Sequence, residues 1–285
     1  MNEFMTLARR GKNTLGLYVA VFVLVIVAWT LGSFPGAWAL ENRNTDEYSI
    51  PVYWVTGLML AAFGVGLIAL WLGVKYIHQR PPQTLISGAA VRWGRIVASA
   101  GLWIGLSVLV EIATFLLMPD YYRLSFKAAD WWPSLLVGLL LVPVQTSFEE
   151  LFLRGYLMQG IGSWNLWAGV GLSSLIFGLL HSANDEVAVV GFWTAMLYYV
   201  GVGLFFALLA VFDKTLELPL GIHAGNNLYA FLLVGYPSSS VPSATIFETT
   251  TLNFPLMMGQ WLVVVLLYVW AARRFLKAGL NLSGQ

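Results

Sequence analysis

The sequence contains no cysteine in 285 residues, only three histidines, and charged side chains at only 10% of its positions. The missing cysteines exclude a disulfide framework, a thiolate nucleophile and any cysteine-ligated zinc or iron–sulfur centre. Any chemistry must therefore fall to Glu, His, Asn, Ser or Tyr. The scarcity of charge, set beside 59% hydrophobic residues and several apolar runs long enough to cross a bilayer, excludes a soluble domain. Such runs must satisfy their backbone hydrogen bonds internally. They also lack the alternating pattern of a barrel strand, which leaves helices. The expected fold is an all-α polytopic membrane helix bundle. The net charge of +1 identifies no partner, and no nucleic-acid partner is expected.

In chain order, eight spans are expected: about Gly16 to Trp38, Val52 to Ile77, Ile96 to Met118, Ser134 to Gln159, Leu166 to His181, Val187 to Phe212, Leu218 to Val234 and Leu256 to Trp270. Ala37-Trp38-Ala39 imitates the end of a signal peptide, but the apolar stretch before it is longer than an h-region and reads as a retained helix. Pro81-Pro82 stops any helix in the basic loop between the second and third spans. Tyr121, Tyr122, Trp131 and Trp132 suit a headgroup-level belt. Twelve Lys and Arg fall on one side of this layout and three, Arg43, Arg123 and Lys127, on the other. That bias predicts a multi-pass protein of a prokaryotic cytoplasmic membrane with both termini cytoplasmic. The whole of residues 1–285 reads as one transmembrane domain, with its chemistry concentrated in residues 134–235.

Ionisable groups inside membrane spans are costly and mark function by default. Glu149, Glu150 and Arg154 interrupt the fourth span. Glu150 and Arg154 stand at i, i+4 in the favourable order for an ion pair, whose bland reading is an interfacial helix end. Glu149 lies about 100° round the helix, outside that pair, where a carboxylate could act as a general base. His181 closes the fifth span and shares a helix face with Phe177. His223 and Asn227 share a face of the seventh, where Gly221 and Gly225 allow another helix to approach closely. Each island alone also reads as an interfacial or packing residue. Three together point to a shared site. Glu111 stands apart in the third span with no obvious partner.

Glu-Glu-x-x-x-Arg at Glu149, Glu150 and Arg154, Phe-x-x-x-His at Phe177 and His181, and His-x-x-x-Asn at His223 and Asn227 match three motifs in order. Together they resemble the CAAX protease and bacteriocin-processing family of intramembrane endopeptidases, the Abi family, whose eukaryotic members are the type II CAAX prenyl endopeptidases. The resemblance implies a glutamate-dependent peptidase, with its site in a membrane cavity open to the cytoplasm and a membrane-associated protein or peptide as substrate. It implies that Glu149 activates water with the help of His181, that His223 and Asn227 stabilise the oxyanion, and that Arg154 holds Glu150. Spacing leaves open which histidine plays which part. No cofactor is expected. Zinc held by the histidines and glutamates is the alternative, although no His-Glu-x-x-His motif is present. A non-catalytic scaffold or immunity protein and a transporter are the other classes.

Straight full-length spans would put His181 near the outer end of its helix and His223 near the inner end of its own. A shared site therefore predicts helices that are broken or displaced in depth, with Asn184, Asp185, Pro219 and Gly221 as the places for the breaks.

Overall fold

The structure, a computed structural model, describes residues 2–44, 47–237 and 239–279. Residues 45–46 of the loop after the first span and Ser238 of the loop before the last span lie outside the described residues. A short N-terminal helix α1 (Glu3–Thr6) precedes α2 (Leu15–Glu41), α3 (Val52–Leu72), α4 (Trp93–Leu117), α5 (Ala128–Glu150) and α6 (Gln159–Gly162). Then follow α7 (Leu166–Leu180), α8 (Asp185–Val190), α9 (Phe192–Asp213), α10 (Glu217–Leu232) and α11 (Phe254–Phe275). The strands are only edge decoration. β1 (Arg43–Asn44) pairs antiparallel with β2 (Glu47–Tyr48). β3 (Tyr122–Leu124) pairs antiparallel with β5 (Phe247–Thr249), which pairs parallel with β4 (Val234–Gly235).

Six helices are long and apolar enough to cross a membrane, the longest running from Ala128 to Gly162 as α5, a π-helical stretch (Leu151–Met158) and α6. The protein is an integral, multi-pass helix bundle. Its two remaining long helices, α7 with 15 residues and α10 with 16, are short. At 1.5 Å per residue they rise about 22–24 Å, less than the ~30 Å hydrocarbon core.

That shortness is how the depth difficulty resolves. The chain leaves α7 at His181, turns through residues 182–184, and forms α8 before Gly191 starts α9. Gly191 has φ +85°, a left-handed conformation that costs glycine little and lets the chain reverse into α9. The predicted sixth span is thus two helices. The breaks expected at Asn184 and Asp185 are present. Those expected at Pro219 and Gly221 are not, because α10 is continuous from Glu217. Pro219 sits in its first turn, where no intrahelical amide donor is required.

The first and last described residues, Asn2 and Gly279, lie at one end of the bundle. Asn2 Nδ2 donates to Val211 O at 2.8 Å, Lys214 pairs with Glu3 at 2.7 Å, and Gly279 N donates to Asp213 Oδ1 at 3.2 Å. The same end gathers basic side chains into polar contacts. Arg80 donates to Gln159 Oε1 at 2.7 Å, and Arg95 pairs with Asp213 at 2.6 Å and Glu217 at 3.0 Å. Burial pushes the pKa of Arg80 down to about 10. The opposite end carries the strands of residues 122–124 and 234–249 and the exposed Arg123–Glu248 pair.

Helix α10 lies against α4 because its glycines present no side chain there. A Cβ on Gly221 would strike Ile96 O and Ser99, and one on Gly225 would fall 2.7 Å from Ala100 O. The small-residue pair thus does what its spacing predicts.

Candidate active site

The fourth-span motif sits where α5 gives way to π winding. Phe148, Phe152 and Tyr156 stack in sequence along one face, with ring centroids 5.6 and 6.3 Å apart and planes within about 10°. This stack fixes one side of the helix. Glu149, Glu150 and Arg154 then face inward between α5, α7, α9 and α10.

Arg154 is wholly buried and does not reach an interface, so the bland reading of a helix end fails. Its Nη1 donates to Glu150 Oε1 at 2.8 Å and its Nη2 to Gly203 O at 3.2 Å. The guanidinium also lies 4.5 Å from the centroid of Phe177 and 5.5 Å from that of Phe206, in cation–π range. Glu150 is equally buried. Its Oε1 accepts a second hydrogen bond, from His223 Nδ1 at 2.9 Å. A carboxylate paired with arginine accepts, so His223 carries its proton on Nδ1 and turns Nε2 toward Glu149. His223 Nε2 lies 3.7 Å from Glu149 Oε2. Arg154, Glu150, His223 and Glu149 thus form one series, in which Glu150 holds both Arg154 and His223 and Glu149 lies beyond hydrogen-bond distance of His223.

Glu149 is held from its other side. Gln145, one turn earlier, donates Nε2 to Glu149 Oε1 at 2.5 Å, and Asn227 Nδ2 donates to Gln145 Oε1 at 3.1 Å. Asn226 Nδ2 donates to Asn227 Oδ1 at 3.2 Å, and Trp103 Nε1 donates to Asn226 Oδ1 at 3.3 Å. An indole can only donate and a carboxylate can only accept, so the two ends of this series fix the orientation of all three amides between them. Asn227 keeps one amide N–H for another acceptor. Gln145, Asn226 and Trp103 were not legible as site residues; the one signal was Gln145 at i−4 from Glu149.

His181 arrives differently. Its Nδ1 bonds to Phe177 O at 2.8 Å, which requires that nitrogen to donate and leaves Nε2 as the free acceptor. Its ring is clamped between Phe177 and Tyr199, with both centroids 4.5 Å away. Among the described residues it has no hydrogen bond to Glu149. It faces the same cavity instead.

That cavity, of about 530 Å³, is lined by Gln145, Glu149, His181, Asn226 and Asn227 at the motif level. From there it continues past Glu111, Tyr229 and Glu186 to Tyr121, Ser239, Ser240 and Thr249. It therefore runs toward the end bearing the strands, away from Asn2 and Gly279. Toward the basic end, Arg154, Tyr156, Met158 and Gln159 are wholly buried. Glu111 finds its partners here. It accepts from the Tyr122 and Tyr229 hydroxyls and from Gln260 Nε2 at 3.3 Å. Glu186, overlooked in the sequence, accepts from the Tyr199 hydroxyl, from Asn184 Nδ2 at 3.0 Å and from Ser240 Oγ at 2.8 Å. Among the described residues, no group of three or more His, Asp and Glu side chains is arranged to hold a metal ion.

Residues 129–229 match the family described as type II CAAX prenyl endopeptidase Rce1-like. The match takes in every motif residue from Glu149 to Asn227 and covers a little over a third of the chain. It agrees with the resemblance read from the three motifs. An uncharacterized protein of Bacillus subtilis (strain 168), YyaK, is 27% identical over 284 residues, covering 93% of each chain. No solved structure matches the chain.

Proposed function

We propose that this protein is an intramembrane endopeptidase that hydrolyses a peptide bond of a membrane-associated substrate with water activated by Glu149. The observation that carries the reading is that Glu149 from α5, Asn227 from α10 and His181 from the end of α7 line one cavity, with His223 3.7 Å behind Glu149. The Rce1-like family match supports protease activity in general terms.

Peptide hydrolysis needs a group to take a proton from water and donors aimed at the oxyanion. Glu149 is the base. Its Oε1 is oriented by Gln145, and its Oε2 is buried against His223 with no hydrogen-bond partner among the described residues. His223, held by Glu150 through Nδ1, turns Nε2 toward Glu149 and helps to position its carboxylate. The free N–H of Asn227 is the oxyanion donor. Glu149 returns the proton it took from water to the leaving nitrogen as the C–N bond breaks, and His181, whose free Nε2 accepts on the cavity wall, orients the attacking water. This assignment gives His223 to the base and His181 to the water.

The test is cleavage of membrane-associated peptides by the purified protein in lipid, comparing wild type with Glu149→Gln and His181→Ala, with and without a chelator. Activity that survives chelation and falls by about a hundredfold or more in Glu149→Gln supports a metal-independent glutamate peptidase. Activity lost to chelation and restored by zinc moves the mechanism to a metal. Full activity in Glu149→Gln removes the base.

A further inference from the structure

We propose that the cavity takes a peptide segment carrying positive charge beside the bond to be cleaved. The inference rests on reading the cavity as the substrate site. Three carboxylates line it, Glu111, Glu149 and Glu186, and among the described residues no lysine or arginine does. Arg154 is paired with Glu150 and stands outside the lining.

The two outer carboxylates are placed by different elements. Glu111 belongs to α4 and is reached by hydroxyls from the residue 122 strand and from α10, together with the amide of Gln260 on α11. Glu186 belongs to α8 and is reached from α9 and from the loop at Ser240. All of these partners are neutral, so neither charge is cancelled by a cation. The walls between them are aromatic. Trp29, Trp103, Trp261, Tyr198, Tyr199 and Tyr236 offer ring faces and hydroxyls that suit an ammonium or guanidinium group. In a low-dielectric space, like charges brought together are disfavoured and opposite charges are drawn in. A substrate whose scissile bond lies next to a free C-terminal carboxylate would place a fourth negative charge among these three. A lysine, an arginine or an amino terminus would meet them.

The experiment measures binding to the purified Glu149→Gln protein, so that no turnover intervenes. Three otherwise identical apolar peptides carry lysine, glutamine or glutamate at the central position. At low ionic strength the lysine peptide should bind about tenfold tighter than the glutamine peptide, with the glutamate peptide weakest. Adding Glu111→Gln or Glu186→Gln should shrink the lysine-to-glutamine ratio at least about threefold. The peptide series itself needs no change at either carboxylate, so a folding defect in those variants leaves the comparison intact. Equal binding of all three peptides, preference for the glutamate peptide, or no binding by any overturns the proposal. Cleavage of the same peptides by the protein with Glu149 intact separates the two readings. Charge-selective binding without cleavage overturns the peptidase and leaves the cavity's preference for a cationic segment standing. Cleavage indifferent to charge does the reverse.

Discussion

Replacing Arg154 by methionine keeps much of the side-chain volume and removes the charge. In the structure it deletes the 2.8 Å bond to Glu150, the 3.2 Å bond to Gly203 O and the cation–π contacts with Phe177 and Phe206. Glu150 then remains fully buried with only His223 as a partner. Stripping one member from a buried ion pair costs about 3–5 kcal/mol. The double variant Glu150→Gln/Arg154→Met has no stranded charge, and swapping a whole buried pair for neutral groups of similar volume is often close to neutral. The coupling between the two substitutions should therefore be about 2 kcal/mol or more, within the range for residues in one network. The assay is reversible unfolding of wild type, both single variants and the double variant in one detergent–lipid mixture. If Arg154→Met unfolds within about 1 kcal/mol of wild type, or if the double variant is no more stable than Arg154→Met, the ion pair is not the anchor argued for here.

Three further outcomes can be checked separately. Gln145→Ala releases both Glu149 and Asn227, and kcat should fall about 10- to 100-fold with a smaller change in KM; a peptidase assay that finds kcat unchanged would show that the amide series is ornamental. Gly221→Leu forces a side chain into Ile96 O and Ser99, so α10 must move off α4 and carry His223 with it; a loss of thermal stability together with activity is expected, whereas a shift in neither would mean that the close approach is slack. Because the chain has no cysteine, Ser243→Cys creates a single thiol on the cavity lining. If both termini are cytoplasmic, as the charge bias predicts, a membrane-impermeant maleimide labels it from outside intact cells; labelling only after the cells are opened would reverse the orientation.

The long helices were legible because apolar runs of that length admit few other structures: six of the eight predicted spans correspond to helices long and apolar enough to cross a membrane, the sixth span starting only at Phe192, whereas the fifth and seventh are shorter helices. The catalytic candidates were legible because ionised side chains in such runs are expensive enough to stand out. Glu149, Glu150, His223 and Asn227 are linked in one hydrogen-bonded and ion-paired constellation, and His181 joins it on the cavity wall. What escaped was whatever lacks a chemical mark of its own. Gln145, Asn226 and Trp103 become parts of the site only because α10 crosses α5 at a particular depth, and that depth depends on how early α7 and α10 stop. The break positions were half legible. Asn184 and Asp185 carry local turn chemistry, whereas Pro219 and Gly221 proved to serve a helix start and a helix contact. The direction of the cavity was not legible, because it depends on which end of the bundle large side chains fill.

The filled end has a consequence for the membrane itself. A water-bearing cavity that ran from one face to the other would let protons and ions flow down their electrochemical gradient, and a cell would pay for each copy in lost membrane potential. Here the floor is made of Arg154 locked to Glu150, with Leu153, Tyr156 and Met158 beside it, all at 0–1% exposure. On the proposed mechanism, the groups beside Glu149 are also the insulation beneath it. A substitution that loosens that floor should be toxic in proportion to expression, even where peptidase activity has already been removed by Glu149→Gln.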